Sequence, residues 1–110
     1  MSVVLDTEQL QDVTLGDPEL MREIVSELVS DTAAQLETLQ QTLAGGDPQR
    51  CARVAHTAKG ACANVGARAL AELFFTVERK AAQGDLDACG ASMPRLSEEL
   101  ARLRECLQSL

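Results

Sequence analysis

The chain has 110 residues and a net charge of -7, and its apolar content comes mostly from Leu, Ala and Val, with two Phe and no Trp or Tyr. That length suits one domain with one core that needs no disulfide or metal staple, and the composition favours helices over sheets. The acidic balance argues against nucleic acid, because phosphate binding needs clustered Lys and Arg to displace counterions, so the expected partners are proteins.

Asp6 followed three residues later by Gln9 has the spacing of a capping box and predicts a short first helix over 6–15. Leu15-Gly16-Asp17-Pro18 ends it and starts a second helix over 18–44, whose apolar stripe is Met21, Ile24, Leu28, Leu36, Leu39 and Leu43. Gly45-Gly46-Asp47-Pro48 repeats the device: Gly terminates, Asp caps, and Pro takes the first helical position where its missing N–H costs nothing. The third helix, over 48–65, buries Cys51, Val54, Ala55, Ala58, Cys62 and Val65. Val65-Gly66-Ala67 turns into a fourth over 67–83 with Leu70, Leu73, Phe74, Val77 and Ala81 inward, and Gly84-Asp85 opens a fifth over 86–109. That last helix carries an unbroken heptad seam from Leu86 to Leu110. Pro94 removes one of its hydrogen bonds, so a kink or restart is expected near Ser92. Four long amphipathic helices joined by short turns pack as an antiparallel up-down bundle, with the short first helix as an addition at one end. The fold class is all-α.

The third helix also holds the only histidine. At 100° per residue, His56 lies roughly 140° from the centre of the buried stripe, so its imidazole points to solvent. Ala52, Gly60, Ala63 and Ala67 fall beside it on the same face, where long charged side chains would ordinarily stand. A cleared surface around an exposed nucleophile implies that something approaches closely. Gly60 lowers helix stability by about 0.8–1 kcal/mol relative to Ala. Lys59, one turn along, can place an ammonium near any group attached to the ring. Phosphoryl transfer is catalysed chiefly by positioning and charge stabilisation, which makes this a plausible acceptor site. There is neither a Gly-rich nucleotide loop nor an evident carboxylate cluster for Mg²⁺, so the metal is expected from a partner.

The run His56-Thr57-Ala58-Lys59-Gly60-Ala61-Cys62-Ala63-Asn64-Val65-Gly66-Ala67 resembles the H-x-[LI]-K-G-[SA]-[SA]-x-[NS]-[LIV]-G-A signature of histidine phosphotransfer (HPt) domains of two-component phosphorelays. The resemblance extends over the whole chain in helix order and in the place of the histidine. It implies a four-helix bundle, phosphorylation of His56 at Nε2, stabilisation of the phosphoryl group by Lys59 and access for a receiver domain over Gly60. Ala52, Ala63, Asn64, Ala67 and Phe75 are the candidate docking residues, Phe75 because it lies off the apolar stripe of the fourth helix. Two positions depart from the signature, Ala58 and Cys62, and both fall on the buried stripe. The implied protein is a phosphocarrier and not an enzyme. It would use no cofactor of its own, with Mg²⁺ supplied by the receiver, and its partners would be receiver domains of response regulators and hybrid sensor kinases.

Other readings stand beside this one. A di-iron bundle needs Glu-x-x-His pairs, and Arg53 stands where the Glu would be. A helical adaptor that only docks on receivers or kinases predicts a degraded His or Lys, whereas both are intact. Neither a signal peptide nor a membrane span is evident. The four cysteines, spaced 11, 27 and 17 apart, match no zinc or CxxC pattern. The expectation is a free-standing cytoplasmic monomer with reduced, mostly buried thiols.

Overall fold

A computed structural model describes residues 2–110. Five helices follow in order: α1 (Thr7–Thr14), α2 (Pro18–Ala44), α3 (Pro48–Val65), α4 (Arg68–Ala82) and α5 (Leu86–Gln108). At 1.5 Å per residue, the 27 residues of α2 match the 42 Å long axis of the molecule. α2 packs on α3 and α5, α4 packs on α3 and α5, and the α3–α4 contact is the most extensive. These pairings close a four-helix bundle. No helix among the described residues is long and apolar enough to cross a membrane.

The Asp caps form as the sequence implies. Asp17 accepts from the N–H groups of Glu19 and Leu20, Asp47 from Arg50 and Asp85 from Ala88, so α2, α3 and α5 each start with a donor satisfied by a side chain. The core they organise contains Leu28, Leu36, Leu39, Leu70, Phe74, Val77, Leu96, Leu100 and Leu103. Cys51, Cys62 and Cys89 belong to it, and Cys106 is half-buried. Burial pushes the Cys62 thiol up to about 11, which suits a packing residue rather than a reactive thiolate.

Three expectations need correction. The capping box at α1 is only half formed: Asp6 accepts from the Gln9 N–H, but the Gln9 amide donates instead to the carbonyls of Ala63 and Asn64 and so ties α1 to the end of α3. α5 does not restart near Ser92. It runs unbroken through Pro94 because Pro94 and Gly90 both lie on the exposed face, where the carbonyl deprived of a partner faces water. Ala67 is fully buried and lies outside α3. Gly66, at φ +104, ends that helix, and Ala67 becomes the first cap of α4, so it cannot extend the exposed face around His56.

Gly66 also receives the N-terminal segment. Its carbonyl accepts from the Asp6 N–H, the Val3 carbonyl accepts from Ala69, and Arg68 pairs with Asp6 at 2.7 Å. A Cβ on Gly66 would lie 3.0 Å from the Asp6 carbonyl oxygen, in a backbone conformation that already disfavours side chains. Gly66→Ala is therefore expected to lower unfolding free energy by about 1–3 kcal/mol in urea titrations, whereas an unchanged midpoint would show that the N-terminal segment yields freely.

Candidate functional site

The buried stripe of α3 is made of small residues, Cys51, Ala55, Ala58 and Cys62, all at most 3% exposed, with Cys51 and Cys62 meeting Thr42 and Thr32 of α2. α3 and α4 share the most extensive helix contact of the bundle, so residues on their adjoining edges come within reach of each other. His56 and Lys59 stand on the α4 side of α3. Glu78 stands on the matching edge of α4, one residue past the buried Val77.

The imidazole of His56 is two-thirds exposed, and its Nδ1 lies 2.7 Å from Glu78 Oε2. The other oxygen of the same carboxylate, Oε1, accepts from Lys59 Nζ at 2.7 Å. Glu78 thus bridges the histidine and the lysine. Lys59, and to a smaller extent His56, hold the Glu78 carboxyl below its ordinary range, although partial burial pushes the other way. An ionised carboxylate can only accept, so in the neutral ring Nδ1 carries the hydrogen and Nε2 keeps its lone pair. A shallow groove lined by Ala52, Arg53, His56, Thr57 and Glu78 borders the ring.

On the other side of Lys59 lies Phe75, which is 46% exposed and is therefore a surface residue, not one buried against a neighbouring helix. The Lys59 ammonium is 5.1 Å from the ring centroid and the Arg79 guanidinium 5.7 Å, both within cation–π range. Gly60 is exposed, and a Cβ there would meet nothing within 4 Å. The packing of this chain does not demand a glycine at that position. Ala63 and Asn64 are exposed and Ala52 half-buried. Of the residues singled out from the sequence, His56 and Lys59 share one carboxylate, Phe75 lies against Lys59, Gly60 keeps the adjoining surface low, and Ala67 alone is displaced into the core.

Glu78 was missed. An acidic residue at the edge of an apolar stripe reads as an ordinary solvated side chain. A signal did exist: in two antiparallel helices, residues equally far from the turn lie side by side, and His56 is ten residues before Gly66 while Glu78 is twelve after it.

Helix order, packing and an exposed, oriented imidazole in mid-helix define a helical-bundle phosphotransfer module. The family model described as "Hpt domain" matches residues 23–106, and the chain belongs to that family, whose members carry phosphoryl groups in phosphorelays. A search of curated proteins finds no match. Among solved structures, histidine-containing phosphotransfer protein B of Pseudomonas aeruginosa PAO1 is 26% identical with a TM-score of 0.90, over 99% of this chain and 95% of that one. A histidine-containing phosphotransfer protein from maize has the same fold at 22% identity and a TM-score of 0.85, over 96% of this chain and 81% of that one. One from Medicago truncatula matches at 22% identity and a TM-score of 0.82, over 96% and 76% respectively.

Because the folded state holds the Glu78 carboxyl below its unfolded value, the bridge contributes stability that is present above the unfolded carboxylate range, about pH 4.3, and is lost as pH falls through the lower folded value. Urea titrations of the wild type and Glu78→Gln should differ at neutral pH and converge below about pH 4. A difference that persists unchanged into acid would mean that the charge of Glu78 adds nothing to the fold.

Proposed function

We propose that His56 is the residue that carries the phosphoryl group, accepting it from the aspartyl phosphate of one receiver domain and passing it to the aspartate of another. The observation that carries this reading is the state of the ring: Nδ1 is engaged by Glu78, Nε2 is free, and the imidazole stands exposed above a surface that Gly60 keeps low. A nucleophile with a fixed tautomer needs no rearrangement before in-line attack on phosphorus.

Lys59 is the cation for the phosphoryl oxygens. Its tether to Glu78 is a part-buried ion pair at the helix edge, and the flexible ammonium can exchange the carboxylate for a dianionic group that arrives next to it. No group of three His, Cys, Asp or Glu side chains converges among the described residues. The carboxylate at the imidazole has both oxygens engaged, a donor set that does not fit a divalent cation. The reading therefore assigns Mg²⁺, and with it the neutralisation of charge at the acyl phosphate, to the receiver. Docking residues are Ala52, Ala63, Asn64 and Phe75, with Ala67 withdrawn. The 110 residues act as one domain and as a cytoplasmic monomer, and affinity for receivers is modest because a carrier must dissociate after each transfer.

Phosphoryl transfer from a ³²P-labelled receiver, with Mg²⁺, to the wild type and to His56→Gln tests the carrier role. Acid-labile, alkali-stable label on the wild type alone is the expected result. A folded wild type that takes no label from any of a panel of cognate receivers would leave a docking adaptor as the better description. Gly60 gives a separate prediction. Gly60→Ala should stabilise the fold by about 0.8–1 kcal/mol in urea, whereas Gly60→Gln should slow transfer by tenfold or more, as expected if about 1.4 kcal/mol of docking is lost. Transfer at the wild-type rate by Gly60→Gln would remove the access role.

A further inference from the structure

Glu78 is a demanding neighbour for a nitrogen that must act first as nucleophile and then as leaving group. Its Oε2 faces Nδ1 at 2.7 Å, so a full negative charge, not an amide dipole, confronts the ring on the side opposite the reacting atom. When neutral imidazole bonds phosphorus through Nε2, the ring becomes a cation that still holds its Nδ1 hydrogen. If that hydrogen is lost, a neutral phosphoramidate remains. Its N–P bond breaks reluctantly, because the departing ring would be an imidazolate anion.

Building on the carrier reading above, we propose that Glu78 is a positioning residue that keeps the Nδ1 hydrogen on the phosphorylated ring, so that His56 holds its phosphoryl group in the labile imidazolium form and passes it on without first taking up a proton. On the way in, the Nε2 lone pair forms the N–P bond while the acyl O–P bond breaks and its electron pair returns to the receiver carboxylate. On the way out, a receiver carboxylate oxygen forms the new O–P bond, the N–P pair returns to Nε2, and the ring leaves as the neutral Nδ1–H imidazole it was at the start. Nδ1 keeps its hydrogen throughout, and atoms and charge balance in both directions.

Lys59 completes the device. In the unphosphorylated protein its ammonium offsets the Glu78 charge at 2.7 Å. As the ammonium turns to the incoming phosphoryl oxygens, Glu78 is left facing Nδ1 with its charge uncompensated, at the moment the ring becomes cationic. The one carboxylate thus serves the lysine before transfer and the imidazolium after it. The charged groups around the ring and its groove are Arg53 and Lys59 on α3, Glu78 and Arg79 on α4 and, beside Thr57 on the adjoining surface, Asp31 on α2. Glu78 is the member of this set in contact with Nδ1. Lys59 and His56 hold its carboxyl below the ordinary range, so it stays an anion throughout the neutral pH range.

The test compares the wild type with Glu78→Gln, which keeps the shape and an acceptor oxygen but removes the charge. Both proteins are phosphorylated with potassium phosphoramidate and checked for helicity by circular dichroism. Loss of phosphoryl to an unphosphorylated receiver is then followed by ³¹P NMR from about pH 6 to about pH 9, spanning the ordinary imidazole range. Expected is a flat profile for the wild type. The Glu78→Gln rate should fall as pH rises, to about a tenth of the wild-type rate or less near pH 8, the size of one pH unit of displaced titration. Parallel profiles would overturn the inference while leaving the carrier reading intact. No phosphoryl group on His56 of the wild type would overturn both. Should Glu78→Gln misfold, the ¹⁵N shift of Nδ1 in phosphorylated wild type decides the matter: a protonated, pyrrole-type shift at about pH 8 is expected, and a pyridine-type shift overturns the inference.

Discussion

The close contact between α3 and α4 is the constraint from which the site follows. The buried stripe of α3 consists of small side chains, while α4 contributes Leu70, Phe74 and Val77 to the same core. Residues on the edges of the α3–α4 contact inherit its geometry. His56 and Lys59 on one side and Glu78 on the other meet at hydrogen-bond distance because these two helices make the most extensive contact of the bundle. The alanine at position 58, where the signature has a large aliphatic, is 3% exposed and belongs to the core rather than to the exposed face of His56.

An imidazole on a packed helix differs from one on a loop. Its backbone is fixed by ladder hydrogen bonds and its ring by one carboxylate, so the approach of a partner need not order anything on this side of the encounter. What remains adjustable is the lysine. Held between a carboxylate and an aromatic face, with Arg79 on the same ring, Lys59 has partners on either side. Rigid ring and loose ammonium divide the work between them: one sets direction, the other follows charge.

Most of the architecture was legible in the sequence because Gly, Asp and Pro act locally. The three Gly-Asp boundaries and the Gly66 turn fall where they were expected, since caps and left-handed termini depend on neighbouring residues alone. His56 was legible for the same reason, as helical geometry places it opposite a stripe visible in a single helix. The misreadings are tertiary in origin. Gln9 was competent to close a capping box, but two carbonyls at the end of α3 offered it better placed acceptors. Ala67 looked like a continuation of a face that Gly66 had already ended. Glu78 had no local mark at all, and its role arises only when two helices align.

The distribution of charge gives the molecule a polarity that its net value hides. Acidic side chains outnumber basic ones by seven, yet Arg53 lines the groove at the imidazole and Lys59 and Arg79 share the neighbouring Phe75 ring. An approaching anionic group is drawn to these cations more than to the acidic side chains that predominate in the chain. Encounters that begin face-on to His56 are therefore enriched over those that begin elsewhere, and the enrichment fades as ionic strength shortens the reach of the field. The acidity of the remainder of the chain thus serves as an orienting device, favouring arrivals at the face that carries His56.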